Sequence, residues 1–189
     1  NIIAKNLENL ESEKSLISSL SKQNLSQTGR VFFEFFNLNK FNWESIYAEN
    51  EKYLQEIKDY KGSRIFISAH IGNWEITRNY LLNLGFKLHS VYRHANNQKI
   101  DQYIQKNRNK ENAYFYKKGS DSAKNMIKAL KNNEDLALLV DQRDSSGPII
   151  NFFGKQVYAT DGFANLALKY QTMICPVYSI RQKLSLIHI

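Results

Sequence analysis

The chain has 189 residues, 42% of them hydrophobic, with 11 Tyr, 11 Phe and 2 Trp against only 2 Pro and 8 Gly. That composition excludes a disordered or low-complexity segment and suits one packed domain over residues 1–189, burying on the order of 70% of its unfolded surface. The net charge is +8 and there is one cysteine, so an internal disulfide is excluded. Residues 1–85 are charge-balanced and residues 86–189 hold the whole excess. Such a surface suits an anionic partner: nucleic acid, anionic lipid, phosphorylated substrate or acidic carrier protein.

The first 60 residues read as a helical layer. Glu8 through Leu20 carries Leu10, Leu16, Ile17 and Leu20 at helix-compatible intervals, and Arg30 to Phe36 places Val31, Phe32, Phe35 and Phe36 on one stripe. Asn42 is the expected N-cap of a third helix running to Tyr60. From Lys61 the pattern changes to alternating strands and helices. Strands are expected at Arg64–Ala69, Lys87–Tyr92, Ala113–Tyr116, Asp135–Val140 and Met173–Ile180. Helices are expected between them at Trp74–Leu84, Asn97–Asn109, Ser120–Lys131 and Asp161–Tyr170, the third capped by Ser120 or Asp121. This order predicts an α/β fold with a largely parallel central sheet flanked by helices and right-handed crossovers. Cys175, in an apolar run beside Pro176, reads as a buried structural thiol.

The segment Ser68-Ala69-His70-Ile71-Gly72-Asn73-Trp74-Glu75 follows an apolar strand and opens a helix. In α/β sheets that places it at the carboxyl edge, where ligand sites form. His70 at the strand end and Glu75 in the first helical turn, with Gly72 permitting a sharp turn between them, bring a carboxylate to one imidazole nitrogen. The other nitrogen is left to take a proton from a substrate hydroxyl. Neither Ser68 nor Cys175 lies in a nucleophile-elbow pattern, which favours direct attack by that hydroxyl on an acyl donor over a covalent acyl-enzyme. Amides around Gly72 and Asn73 are candidates for an oxyanion site. No metal is expected, because His70, His89, His94 and His188 show no ligand pairing. No organic cofactor is expected either.

HIGNWE after an apolar strand resembles the HxxxxD/E motif of the glycerolipid acyltransferase superfamily, and its H-x-G-N-W-E form resembles the bacterial lipid A biosynthesis acyltransferase branch. Other segments follow in that family's order: Val91-Tyr92-Arg93 with Asn97 to Arg108, Leu139-Val140-Asp141-Gln142, Asn151-Phe152-Phe153-Gly154 with Ala159-Thr160, and Cys175-Pro176-Val177 with Arg181. The resemblance covers about residues 28–183. It implies transfer of a fatty acyl chain from acyl carrier protein, or a coenzyme A thioester, to a hydroxyl of a lipid A precursor or other glycolipid at the cytoplasmic face of the inner membrane. It makes His70 the general base and Glu75 its partner, with Asn73, Arg93, Arg108 and Asp141 supporting or binding substrate. Arg93, Lys117 and Lys118 are candidates for phosphate, the guanidinium being the better match to its geometry. Phe152, Phe153, Trp74 and Tyr92 are candidate walls of an acyl tunnel. Members of the family carry an N-terminal membrane helix and more chain after the last strand, so this chain reads as a fragment. Residues 184–189 match no part of the pattern.

Two other readings compete. One keeps the His/Glu pair but takes a lysophospholipid as acceptor. The other is a non-enzymatic domain binding an anionic surface; nucleic acid is disfavoured there, since no recognised binding motif accompanies the charge.

Overall fold

The computed structural model describes residues 2–8, 11–182 and 186–188. Its centre is a five-stranded sheet of β2 (Arg64–Ser68), β3 (Leu88–Tyr92), β4 (Ala113–Lys117), β5 (Asp135–Leu139) and β8 (Met173–Pro176), all parallel, in the order β4-β3-β5-β2-β8. These strands are short apolar runs because both faces are covered. Phe66 packs with Leu81, Leu82, Phe86, Leu88 and Cys175 on one face, while its neighbour Ile65 packs with Ala129, Leu130, Leu136 and Ala167 on the other. Burying each of the larger side chains contributes about 1.5–3 kcal/mol. Helices α4 (Trp74–Asn83), α5 (Gln98–Arg108), α6 (Ser120–Lys131) and α7 (Gly162–Tyr170) separate the strands. The chain moves outward from β2 through β3 to β4. It then returns with β5 into the gap beside β2 and leaves on the other side with β8, so the order reverses where β2 and β5 adjoin. A crevice forms at their carboxyl ends.

The opposite ends of the same two strands are clamped by charge. The Arg64 amide and guanidinium both donate to Asp135 Oδ1, at 2.9 and 3.1 Å, and Arg64 Nε donates to the Ile57 carbonyl. Burial pushes the Asp135 carboxyl up, opposed by Arg64. Cys175 is buried as expected, and burial pushes its thiol up to about 11.

The N-terminal layer differs in detail from the expectation. Helix α1 (Ile2–Leu7) is followed by one long α2 (Lys14–Phe36), and Leu10 lies outside the described residues. Of the expected Phe stripe only Phe35 is buried; Phe32 and Phe36 are exposed. Asn42 caps a 3-10 turn, Trp43–Ser45, through an acceptor contact from the Glu44 amide, and not a helix to Tyr60. The intervening residues form β1 (Ile46–Tyr47) before α3 (Glu51–Asp59) begins. The cap of α6 is Gly119, whose carbonyl accepts from both the amide and the hydroxyl of Ser122. The expected strand to Ile180 ends at Pro176, and β9 (Ile180–Gln182) pairs antiparallel with β10 (Leu186–His188). A hairpin of β6 (Ile149–Phe152) and β7 (Lys155–Tyr158), absent from the sequence reading, turns through Phe153 and Gly154, both at positive φ.

Candidate active site

The strand register builds the site. Ser68 lies opposite Leu139, and the Val140 amide donates to the Ser68 carbonyl. Two residues further along each strand come His70 and Asp141. The His70 amide donates to Asp141 Oδ2 at 2.8 Å and ring Nδ1 meets Oδ1 at 2.8 Å. A carboxylate only accepts, so Nδ1 carries the proton and Nε2 is left as the acceptor nitrogen. Burial pushes the Asp141 carboxyl up. The hydrogen bonds from the His70 amide and ring outweigh this and hold it below the usual carboxylate range. Trp74 sets its ring edge to face against the imidazole, with centroids 4.9 Å apart.

Glu75 is not the partner of His70. Its Oε1 accepts from Arg108 Nε at 3.1 Å and from Nη2, across from the end of α5. The expectation rested on local spacing alone; the nearer cation and the strand register pair both residues differently.

Asn73 is the residue that fixes this loop. Its side-chain oxygen caps α4 by accepting from the Glu75 and Ile76 amides, each at 3.2 Å. Its side-chain nitrogen donates to Glu34 of α2 at 2.7 Å, and Arg181 holds the other oxygen of Glu34. The Asn73 amide donates to Ser179 Oγ at 2.8 Å, so it is occupied and is not an oxyanion donor. Gly72 sits at φ +57°, and a Cβ there would lie 2.0 Å from the Ser179 carbonyl oxygen. Glycine is required on both counts.

A cavity of about 890 Å³ adjoins His70. Its lining includes the polar side chains of His70, Glu75, Arg93, Arg108 and Lys118 and the apolar side chains of Phe66, Leu81, Met126, Leu138, Phe163 and Leu166. Trp74 and Tyr92 are wall residues as expected, whereas Phe152 and Phe153 stand on the hairpin, 57% and 69% exposed. Lys117 is exposed and is not among the lining residues, unlike its neighbour Lys118. The sequence reading missed Arg78, one turn after Glu75, and Ser179. Arg78 follows Glu75 at helical spacing, a signal that was legible; Ser179 acts only through the fold. His89 is held by Tyr116 and Glu134, and His94 by Asp101. Among the described residues no group of three or more His, Cys, Asp or Glu is placed to hold a metal ion.

A parallel α/β sheet with a carboxylate-paired histidine at its switch point, beside a partly apolar cavity, has the makings of an enzyme site in an α/β fold. The model of the bacterial lipid A biosynthesis acyltransferase family matches residues 2–187. The chain belongs to that family and is an acyltransferase of lipid A biosynthesis. No individual curated protein matches it.

Proposed function

We propose that the chain transfers a fatty acyl group from an acyl carrier protein thioester to a hydroxyl of a lipid A precursor, with His70 as general base and Asp141 as the carboxylate that orients it. The observation that carries this reading is His70, on the wall of the cavity, with its Nδ1 held by Asp141. The acceptor hydroxyl gives its proton to His70 Nε2 as its oxygen attacks the thioester carbonyl. On collapse the C–S bond breaks, and the imidazolium returns the proton to the leaving thiolate, giving ester and free thiol. Asp141 fixes the tautomer and stabilises the imidazolium while it exists. The apolar side chains of the cavity lining suit the acyl chain, at about 0.8 kcal/mol per buried methylene.

The donor is acidic and the acceptor phosphorylated, and the exposed basic residues Arg93, Lys117, Lys118 and Arg143 suit both. The protein works at the cytoplasmic face of the inner membrane. No helix among the described residues is long and apolar enough to cross a membrane. The exposed Phe152 and Phe153, with the Arg143 guanidinium over the Tyr158 ring of the same hairpin, support contact with a lipid surface.

The test is an acyl-transfer assay with acyl carrier protein thioesters of graded chain length, offering a lipid A precursor and a lysophospholipid in parallel. Mass spectrometry is expected to find the acyl chain on the lipid A precursor. Acylation of the lysophospholipid alone would replace the acceptor, and transfer by the His70→Ala variant at the wild-type rate would remove the mechanism.

A further inference from the structure

Helix α4 carries a further cation, Arg78, into the cavity wall. Arg78 is only 9% exposed, and its Nε, Nη1 and Nη2 have no hydrogen-bond partner among the described residues. Its guanidinium carbon lies 4.0 Å from the centroid of Phe115, and that of Arg108 lies 5.2 Å from the same ring. Both arginines, Phe115 and Ser90 line the cavity. The Ser90 hydroxyl and Glu75 Oε2 are also buried without partners.

A guanidinium buried with all its donors idle is costly, because the water it gave up is not replaced. An aromatic face offsets part of that cost but satisfies no N–H. The charges facing it do not balance. Glu75 opposes Arg78 but is already engaged by Arg108, and Lys110 adds a further positive charge. Asp101 is the second carboxylate of the group, acting on Arg108, so two negative charges face the three positive ones. One positive charge is left over. Burial lowers the pKa of Arg78 to about 10, the pull of Glu75 raising it and the repulsion of Arg108 lowering it, so it remains a cation at neutral pH.

We infer that Arg78, with Arg108 and the Ser90 hydroxyl, is the binding site for a phosphate ester whose neighbouring hydroxyl or amide N–H donates to Glu75 Oε2. The idle donors call for an oxyanion, and the fork of a guanidinium grips one through two parallel hydrogen bonds. The idle acceptor calls for a donor on the same ligand. A phosphorylated amino sugar and a phosphopantetheine arm share this chemistry. The choice of phosphate over carboxylate rests on the proposed function, whose two substrates both carry phosphate esters.

The test is isothermal titration calorimetry of the full chain with inorganic phosphate, glucosamine 1-phosphate and 4′-phosphopantetheine, at constant ionic strength. Wild-type protein is expected to bind at least one of the two esters saturably, and more tightly than unphosphorylated glucosamine or pantetheine. Arg78→Met is expected to weaken that binding tenfold or more, Arg78→Lys less, and Lys128→Met, at an exposed residue that does not line the cavity, not at all. The ester bound more tightly identifies the source. Absence of saturable binding, or equal affinity in Arg78→Met, overturns the inference. Should Arg78→Met fail to fold, the wild-type melting temperature decides. A rise with the ester but not with its unphosphorylated analogue upholds the site, and equal shifts overturn it. Binding needs no turnover, so the proposed reaction can fail with the phosphate site intact, and the reverse.

Discussion

At the scale of single residues, the site turns on side chains whose environment leaves little choice. Gly72 combines a left-handed backbone with contact to the Ser179 carbonyl. Gly72→Ala is therefore expected to lower stability by about 1–3 kcal/mol, read by denaturant melts, and to lower turnover by displacing Asn73. Burial holds the Cys175 thiol protonated, with a pKa of about 11. It is expected to resist iodoacetamide at pH 8 in the native protein and to react once the chain is unfolded in urea. The unfolded thiol ionises near 8.5, so as pH rises from there towards 11 this group favours the unfolded chain and native stability falls. That Cys175 is buried was legible from its apolar run. The partner of His70 was not: HIGNWE places Glu75 five residues away, and local spacing cannot weigh it against an aspartate 71 residues distant.

Elements, more than residues, decide that competition. Parallel pairing of β2 with β5, in the register Ser68 to Leu139, carries His70 onto Asp141. The register is held at the other end by Arg64 and Asp135, a pair almost wholly buried. Removing one partner of such a pair leaves an uncompensated buried charge, so Asp135→Ala is expected to cost about 3–5 kcal/mol in urea melts. Asn73→Ala removes the cap of α4 together with the tie to Glu34, and a loss of at least ~1 kcal/mol is expected in the same measurement. Four of the five sheet strands and the four helices between them were legible to within a residue or two at each end, because apolar runs and 3.6-residue stripes mark them directly. The fifth, β8, began where expected at Met173 and stopped four residues short. The hairpin β6–β7 was not legible, since its residues are mostly exposed and bury no alternating face. Nor was the break between α2 and α3, where local capping by Asn42 starts only a 3-10 turn.

For the whole molecule, the +8 charge is less of a surface property than its sequence distribution suggests. Arg108 is turned inward onto Glu75, Arg181 is tied to Glu34, and Arg78 is buried in the cavity wall. The exposed remainder around Arg93, Lys117, Lys118 and Arg143 is expected to attract an acidic donor over roughly a Debye length, about 8 Å at 0.15 M salt. KM for an acyl carrier protein thioester is therefore expected to rise with salt while kcat holds. The exposed Phe152 and Phe153 are expected to contribute to sedimentation with phosphatidylglycerol vesicles, and Phe152→Ser with Phe153→Ser to reduce it severalfold. Fold, cavity and charge meet at one juncture, the imidazole of His70 held by Asp141. The most direct test is the turnover of Asp141→Asn beside Glu75→Gln, each shown to be folded by circular dichroism. Asp141→Asn is expected to lower kcat by roughly 10²–10⁴-fold with KM little changed, since the amide no longer fixes the tautomer or stabilises the imidazolium. Wild-type kcat in Asp141→Asn, with the loss appearing only in Glu75→Gln, would contradict the account.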